Sequence, residues 1–398
     1  MIVRQASMLA ILAALVAPAV QLSAQRADTP AFSVPPLVQQ MEIRSIARWG
    51  DDIIVETDFW GLGYRTEIAS PPRFWRLDSV ARTFTRFDPG GGRRYLGFST
   101  GEGSRLAVSL RGKEVELLAL DPSVAAPRLL CSLGEIPAPI RFHLATLGRF
   151  HVAIGGGTVV IIEDGKVARR IPLAEVVAPD RAEPPRFLEF LLGSVRAVAA
   201  TNREIFVGLS AGEFGGGAFA FSLTDDGHLR NPHKVWSQHV SAVAVQDDGA
   251  VWMAGGHHDG VGTGGSLVRE LRGQLEVLVH QASMMDRERP VSPRPILRLP
   301  RASSLDGLAL DGRDNVIVAA TEVGLVGLKA SGEMKILWDH SLLPAPVDAR
   351  FAFRGQPVGL LLHGDRLFLA TRFLGLLEFV RQADGFQFRG QITIRNDQ

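Results

Sequence analysis

The run Gly255-Gly256-His257-His258-Asp259-Gly260 sets two imidazoles beside a carboxylate. Such groups suit zinc and other transition metals. Side chains of adjacent residues diverge, however, and no recognised ligand spacing flanks the pair, so no metal site is assigned. The run reads instead as a polar, glycine-rich loop offering His257, His258 and Asp259 to a ligand. Three more candidates come from one recurring context. Asp58, Glu322 and Arg372 each follow a threonine (Thr57, Thr321, Thr371) that ends a short apolar run, and a glycine comes soon after (Gly61, Gly324, Gly375). Glu213 stands near the corresponding place in a fourth run. If these positions surround one point, two carboxylates and an arginine would bind a polar ligand or do acid–base work there. Held apart, they are solvated loop charges. Trp60 belongs to an aromatic group with Phe59, Tyr64, Phe74 and Trp75. It would stack on a sugar or meet a protein partner, or else pack its own loop down.

Other chemistries lack their residues. Asp247 to Trp252 has the Asp, Gly and Trp of a sialidase Asp box without its Ser and Thr, and Trp338-Asp339 lacks the rest of a WD-type repeat pattern. There is no haem-attachment Cys-x-x-Cys-His, no Gly-x-Ser-x-Gly elbow and no phosphate-binding glycine loop, so no cofactor is expected. Acidic turns such as Asp225-Asp226-Gly227 lack the spaced oxygen ligands of a calcium loop. The lone Cys131 has no partner for an intrachain disulfide and reads as a buried small hydrophobe.

What must position these residues is a repeat. Ser303 to His340 reads as four apolar runs (LDGLAL, NVIVAAT, VGLVGLK, MKILW) separated by turn residues. Each run has strand length, so the unit is a four-stranded antiparallel meander. Nearly every strand position is apolar, so both faces must be covered by neighbours. Similar units fall at about 41–87, 91–134, 138–173, 194–238, 239–280, 303–340 and 356–394. This predicts an all-β fold, a seven-bladed β-propeller of four-stranded antiparallel blades forming one domain over 41–398. A β-sandwich or a pair of β-domains accounts less well for the four-strand unit. The first two strands of each unit are small and apolar, as strands crowded around a channel would be, and the fourth strands are more polar, as a rim would be.

Within these units, VQDDGAVWMAGG and DGRDNVIVAATEVGL resemble the Asp-Gly-x-x-Trp-x-Gly-Thr-x-x-Gly-Leu pattern of the two-component-regulator-type propeller repeat. They are also similar to NHL and gluconolactonase-like repeats. The resemblance covers two or three units well and implies a propeller. It implies little about function, because these families host sensors, scaffolds and enzymes alike.

Lys and Arg number 43 against 42 Asp and Glu, and no basic stripe appears, which argues against nucleic acid. The first 24 residues have Arg4, an apolar run from Met8 to Val20 and the small residues Ser23-Ala24, the pattern of a secretory signal peptide. Residues 25–40 read as a linker in which Phe32 to Val38 would add an outer strand. The expected protein is exported to the periplasm or beyond, monomeric, and without a membrane span once the signal is removed. Tight turns join strands one to two and three to four, whereas the long segments join strands two to three or separate blades. Both long kinds open on one face. That face is expected to hold a protein or carbohydrate ligand, the alternative being a hydrolase or lyase using carboxylates and histidines at the channel mouth.

Overall fold

The computed structural model describes residues 41–394 apart from 50–51, 60–72, 88–92, 100–104, 121–126, 136–140, 178–191, 212–215, 260–261, 282–294, 302, 313–314, 322, 340–356, 373 and 384. The signal peptide, the linker and the outer strand expected at Phe32 to Val38 lie outside the described residues.

Seven four-stranded antiparallel sheets follow one another along the chain, each with its strands in sequence order. Blade one comprises Met41–Trp49, Asp52–Phe59, Arg73–Asp78 and Thr83–Arg86; blade two, Arg93–Phe98, Leu106–Arg111, Glu114–Ala119 and Arg128–Glu135. Blade three comprises His143–Leu147, Phe150–Gly155, Thr158–Glu163 and Lys166–Pro172; blade four, Val195–Ala200, Ile205–Ser210, Gly216–Leu223 and Leu229–Trp236. Blade five comprises Ala242–Val245, Val251–Asp259, Gly262–Leu271 and Gln274–Gln281; blade six, Leu305–Leu310, Asn315–Ala320, Gly324–Lys329 and Met334–Asp339. Blade seven comprises Pro357–His363, Arg366–Thr371, Gly375–Gln382 and Gly385–Ile392. This is the seven-bladed propeller that the repeats predict. The first strands of neighbouring blades lie side by side from blade two round to blade seven and on to blade one, so they line the centre.

Middle strands are buried on both faces. Residues 316–320 of blade six are all buried, and so are Val159 to Ile162 of blade three, because the adjoining blades cover each side. The fourth strands are the rim: Lys166–Pro172 alternates between exposed and covered positions. Cys131 lies on such a rim strand and is half-buried, more exposed than expected; burial raises its thiol pKa, opposed by Arg170. The connection after blade three contains a short helix, Ala174–Val177, whose Val176 and Val177 are buried between blades three and four.

Glycines are needed where one blade crosses into the next. Phe142 N donates to Leu96 O at 2.8 Å across the seam between blades two and three. A Cβ on the adjacent Gly97 would stand 1.9 Å from Phe142 O. That neighbour is backbone and cannot rotate away. Gly97→Ala is therefore expected to cost about 3 kcal/mol, the upper part of the overpacking range, read as a lowered denaturant midpoint.

The turns sort as expected, with two differences. Blade two carries longer connections, 99–105 and 120–127, on the face of the tight turns, and its own strands two and three are joined tightly through Gly112-Lys113. The run expected as a loop from Gly255 continues a strand into a paired hairpin instead: Gly256 to Asp259 align with Gly262 to Gly265 in register. Composition alone made it look like a loop. Here the glycines serve close packing, since a Cβ on Gly256 would meet Gly264 O at 2.3 Å.

Candidate functional site

Inner strands are where side chains can meet at the ring centre. In five blades the inner strand breaks register, after its first residue in blades four, six and seven and after its third in blades one and two. The interruptions fall between Ile43 and Ser45, Tyr95 and Gly97, Val195 and Ala197, Leu305 and Gly307, and Pro357 and Gly359. One residue in each is unpaired: Arg44, Leu96, Arg196, Asp306 and Val358. A bulge re-aims its residue and interrupts the alternation of faces. All five lie at the end where inner strands begin, which is the face of the inter-blade connections.

Around this end the charges assemble across the ring. Glu42, 1% exposed, accepts from Arg44 Nη1 at 2.9 Å and from Arg372 Nε, both on Oε1. Ile43 N donates to Arg372 O at 2.9 Å, so the same seam is also held by backbone. Glu56 accepts on Oε1 from Arg141 Nε at 2.8 Å and Nη2 at 2.6 Å, and on Oε2 from Ser45 Oγ at 2.8 Å. Arg141 belongs to blade three and Glu56 to blade one, so this pair spans the centre past blade two. Arg196, on blade four, feels the charges of Arg141, Arg44, Arg372 and Glu42. Its side chain has ample surface toward solvent yet is surrounded by protein, as suits a residue facing an internal channel. Burial and then the three arginines lower its pKa to about 10, opposed by Glu42. Its hydrogen bond to Ser210 O, from Nε, is weak at 3.4 Å.

His143 opens the inner strand of blade three beside this group. Burial, then Arg141, lower its pKa to about 3, partly opposed by a bond to the Val195 backbone, so the ring is neutral. Its Nε2 is buried and has no hydrogen-bond partner. On the far side of the centre Asp306 accepts from Ser304 Oγ, and from Ser241 Oγ at 3.3 Å.

Of the residues expected from sequence, Arg372 directly follows the second strand of blade seven and is engaged with Glu42 of the first blade. Asp58, His257, His258 and Asp259 have strand backbone, Asp58 paired with Glu42, and their side chains lie outside the described residues. Trp60, Glu213 and Glu322 lie outside the described residues altogether. The threonines that mark the repeat are structural. Thr57 Oγ1 accepts from Trp75 Nε1 at 2.9 Å, and Thr371 Oγ1 donates to Gly375 O at 2.8 Å and accepts from Leu374 N at 3.2 Å. Sequence reasoning missed Glu42, Arg44, Glu56, Arg141, His143 and Arg196. One signal was available: an arginine stands at or near the start of the first run in repeats one, three and four (RSIARW, RFHLAT, VRAVAAT), where small apolar residues otherwise prevail.

No family model matches this chain, and no curated protein does. Among solved structures it is similar to a protein from Lactobacillus plantarum, at 10% identity and a TM-score of 0.52, over 90% of this chain and 97% of that one. It is also similar to an extracellular domain from B. thetaiotaomicron, at 10% identity and a TM-score of 0.47, over 88% of this chain and 40% of that one. A third is the WD40 β-propeller domain of Doa1, at 11% identity and a TM-score of 0.46, over 88% of this chain and 95% of that one. At these identities the likeness concerns the fold alone.

Proposed function

We propose that this chain is an exported binding module that takes a protein or carbohydrate ligand at the face where the inner strands begin. The observation that carries the reading is the set of five bulges at one end of the ring. They present Arg44, Arg196 and Asp306 there, at a place where regular pairing would have served the scaffold as well. Rigid blades supply the framework, and the connections of that face supply variable chemistry. Export rests on the N-terminal pattern of residues 1–24. Among the described residues, no helix is long and apolar enough to cross a membrane.

The test has two readouts. The mass of the exported chain should lack residues 1–24. The purified mature protein should bind members of a panel of immobilised oligosaccharides and peptides. Binding should be lost on changing Arg44 and Arg372 to alanine at this mouth, and kept on changing Asp248 and Asp365 at the opposite turns. Retention of residues 1–24 would overturn export. The opposite pattern of variants, or no binding at all, would overturn the choice of face, and turnover of a bound ligand would replace the binding module by an enzyme.

A further inference from the structure

Four guanidiniums meet at one end of the ring, from blades one, three, four and seven. Two are held by Glu42 and one by Glu56. Arg196 has no carboxylate among the described residues; its bond to the Ser210 carbonyl neutralises nothing. Like charges brought together in a partly enclosed space repel, and that cost does nothing for the fold. Groups held at such a cost are common at functional sites.

We propose that Arg196 is the anchor of an anion site at the ring centre, which receives the carboxylate of a compact ligand. The proposal rests on the reading that this face binds ligand and names the chemistry of that ligand. A carboxylate is chosen because the chain itself fills the neighbouring positions with carboxylates. Glu56 receives Arg141 through both Nε and Nη2, and Glu42 receives Arg44 and Arg372. A ligand carboxylate on Arg196 would repeat this pattern a third time and meet the charge of Arg196. The guanidinium fork suits a planar carboxylate, and in a site partly shielded from water such a charge-assisted pair is strong.

The experiment uses the mature chain with D-glucuronate and succinate as carboxylate probes. D-glucose serves as the uncharged control and sodium sulfate as a non-carboxylate anion, all at matched ionic strength. Calorimetric titration should show saturable millimolar or tighter binding of at least one carboxylate and none of glucose. Arg196→Gln should weaken carboxylate binding by about tenfold or more, the scale of a lost charge-assisted pair, while Arg196→Lys should keep part of it. Thermal stability separates this role from a structural one. Without ligand, Arg196→Gln should melt no lower than the parent, because it relieves repulsion from Arg44, Arg141 and Arg372. A clearly lower melting temperature would make Arg196 a scaffold residue and overturn the proposal. So would no binding of either carboxylate, or unchanged binding by Arg196→Gln. Sulfate binding as tight as the carboxylates would overturn the carboxylate assignment. If oligosaccharides or peptides bind this face while both small carboxylates fail, only the anion site falls.

Discussion

Replacing Glu378 by alanine should cost about 3–5 kcal/mol of stability, because it removes the acceptor at the centre of the seam that closes the ring. Six of the seven seams are crossed by the chain itself. The seventh, between blades seven and one, is not, and among the described residues no strand is exchanged across it. It is held by apolar packing of Phe368, Ala370, Leu376 and Ile392 against Ile43, Ile53, Val55 and Trp75, and by a web of charge. Glu378 has no exposed surface. Its Oε1 accepts from Arg366 Nε at 2.7 Å, with Arg389 Nη1 at 3.6 Å, and Arg82 Nε of blade one lies 3.3 Å from Oε2. Arg366 Nη2 reaches on to Ser79 O of blade one at 2.7 Å. Without the carboxylate, Arg366 and Arg82, with side chains 20% and 31% exposed, lose their partner while keeping their desolvation cost. The exposed pair Lys329–Glu333, with side chains 47% and 63% exposed, gives the contrast: breaking it should cost about 0–1 kcal/mol. Urea denaturation of both variants measures the difference, and a Glu378→Ala variant as stable as one broken at Glu333 would remove the charge web from the account of closure.

Acid should weaken this protein through His143, with a slope of up to about 1.4 kcal/mol per pH unit from this one group. Burial, then Arg141, lower the folded pKa to about 3 from an ordinary 6.5. Between those values the unfolded chain binds a proton that the folded chain refuses, so stability rises with pH across the window. It is fully present above about 6.5 and is lost progressively as pH falls toward 3. His151, also lowered by burial, acts in the same direction, so the comparison must be between variants. Denaturation free energies of the parent and His143→Gln, measured at several pH values, should converge or cross as the solution is acidified, the parent falling faster. Parallel curves through the window would rule out this linkage.

The scaffold was legible because its information is local. Runs such as NVIVAA and TVVIIE, bounded by Asp, Gly and Ser-Gly turns, specify strand, turn and double-sided burial within a few residues, and sevenfold recurrence then leaves few architectures. The threonine step was legible too, although its meaning was not: Thr57 and Thr371 tie strand ends by hydrogen bonds. The paired glycines around His257 misled, because glycine enrichment marks both loops and the close approach of strands.

The charged centre was decided by the tertiary structure. Glu42 and Arg372 are separated by 330 positions and meet only because the first and last blades close the ring. Arg141 and Glu56 lie 85 apart and meet only across the centre. No periodicity encodes these meetings, and the bulges that turn Arg44 and Arg196 out of the sheet interrupt the very alternation from which strands are read. Seven sheets, and the face on which their connections open, follow from local patterns along the chain. Ring closure decided which charges share the centre, since it alone converts positions far apart in the chain into neighbours, and thereby made an arginine at the start of a strand part of a site.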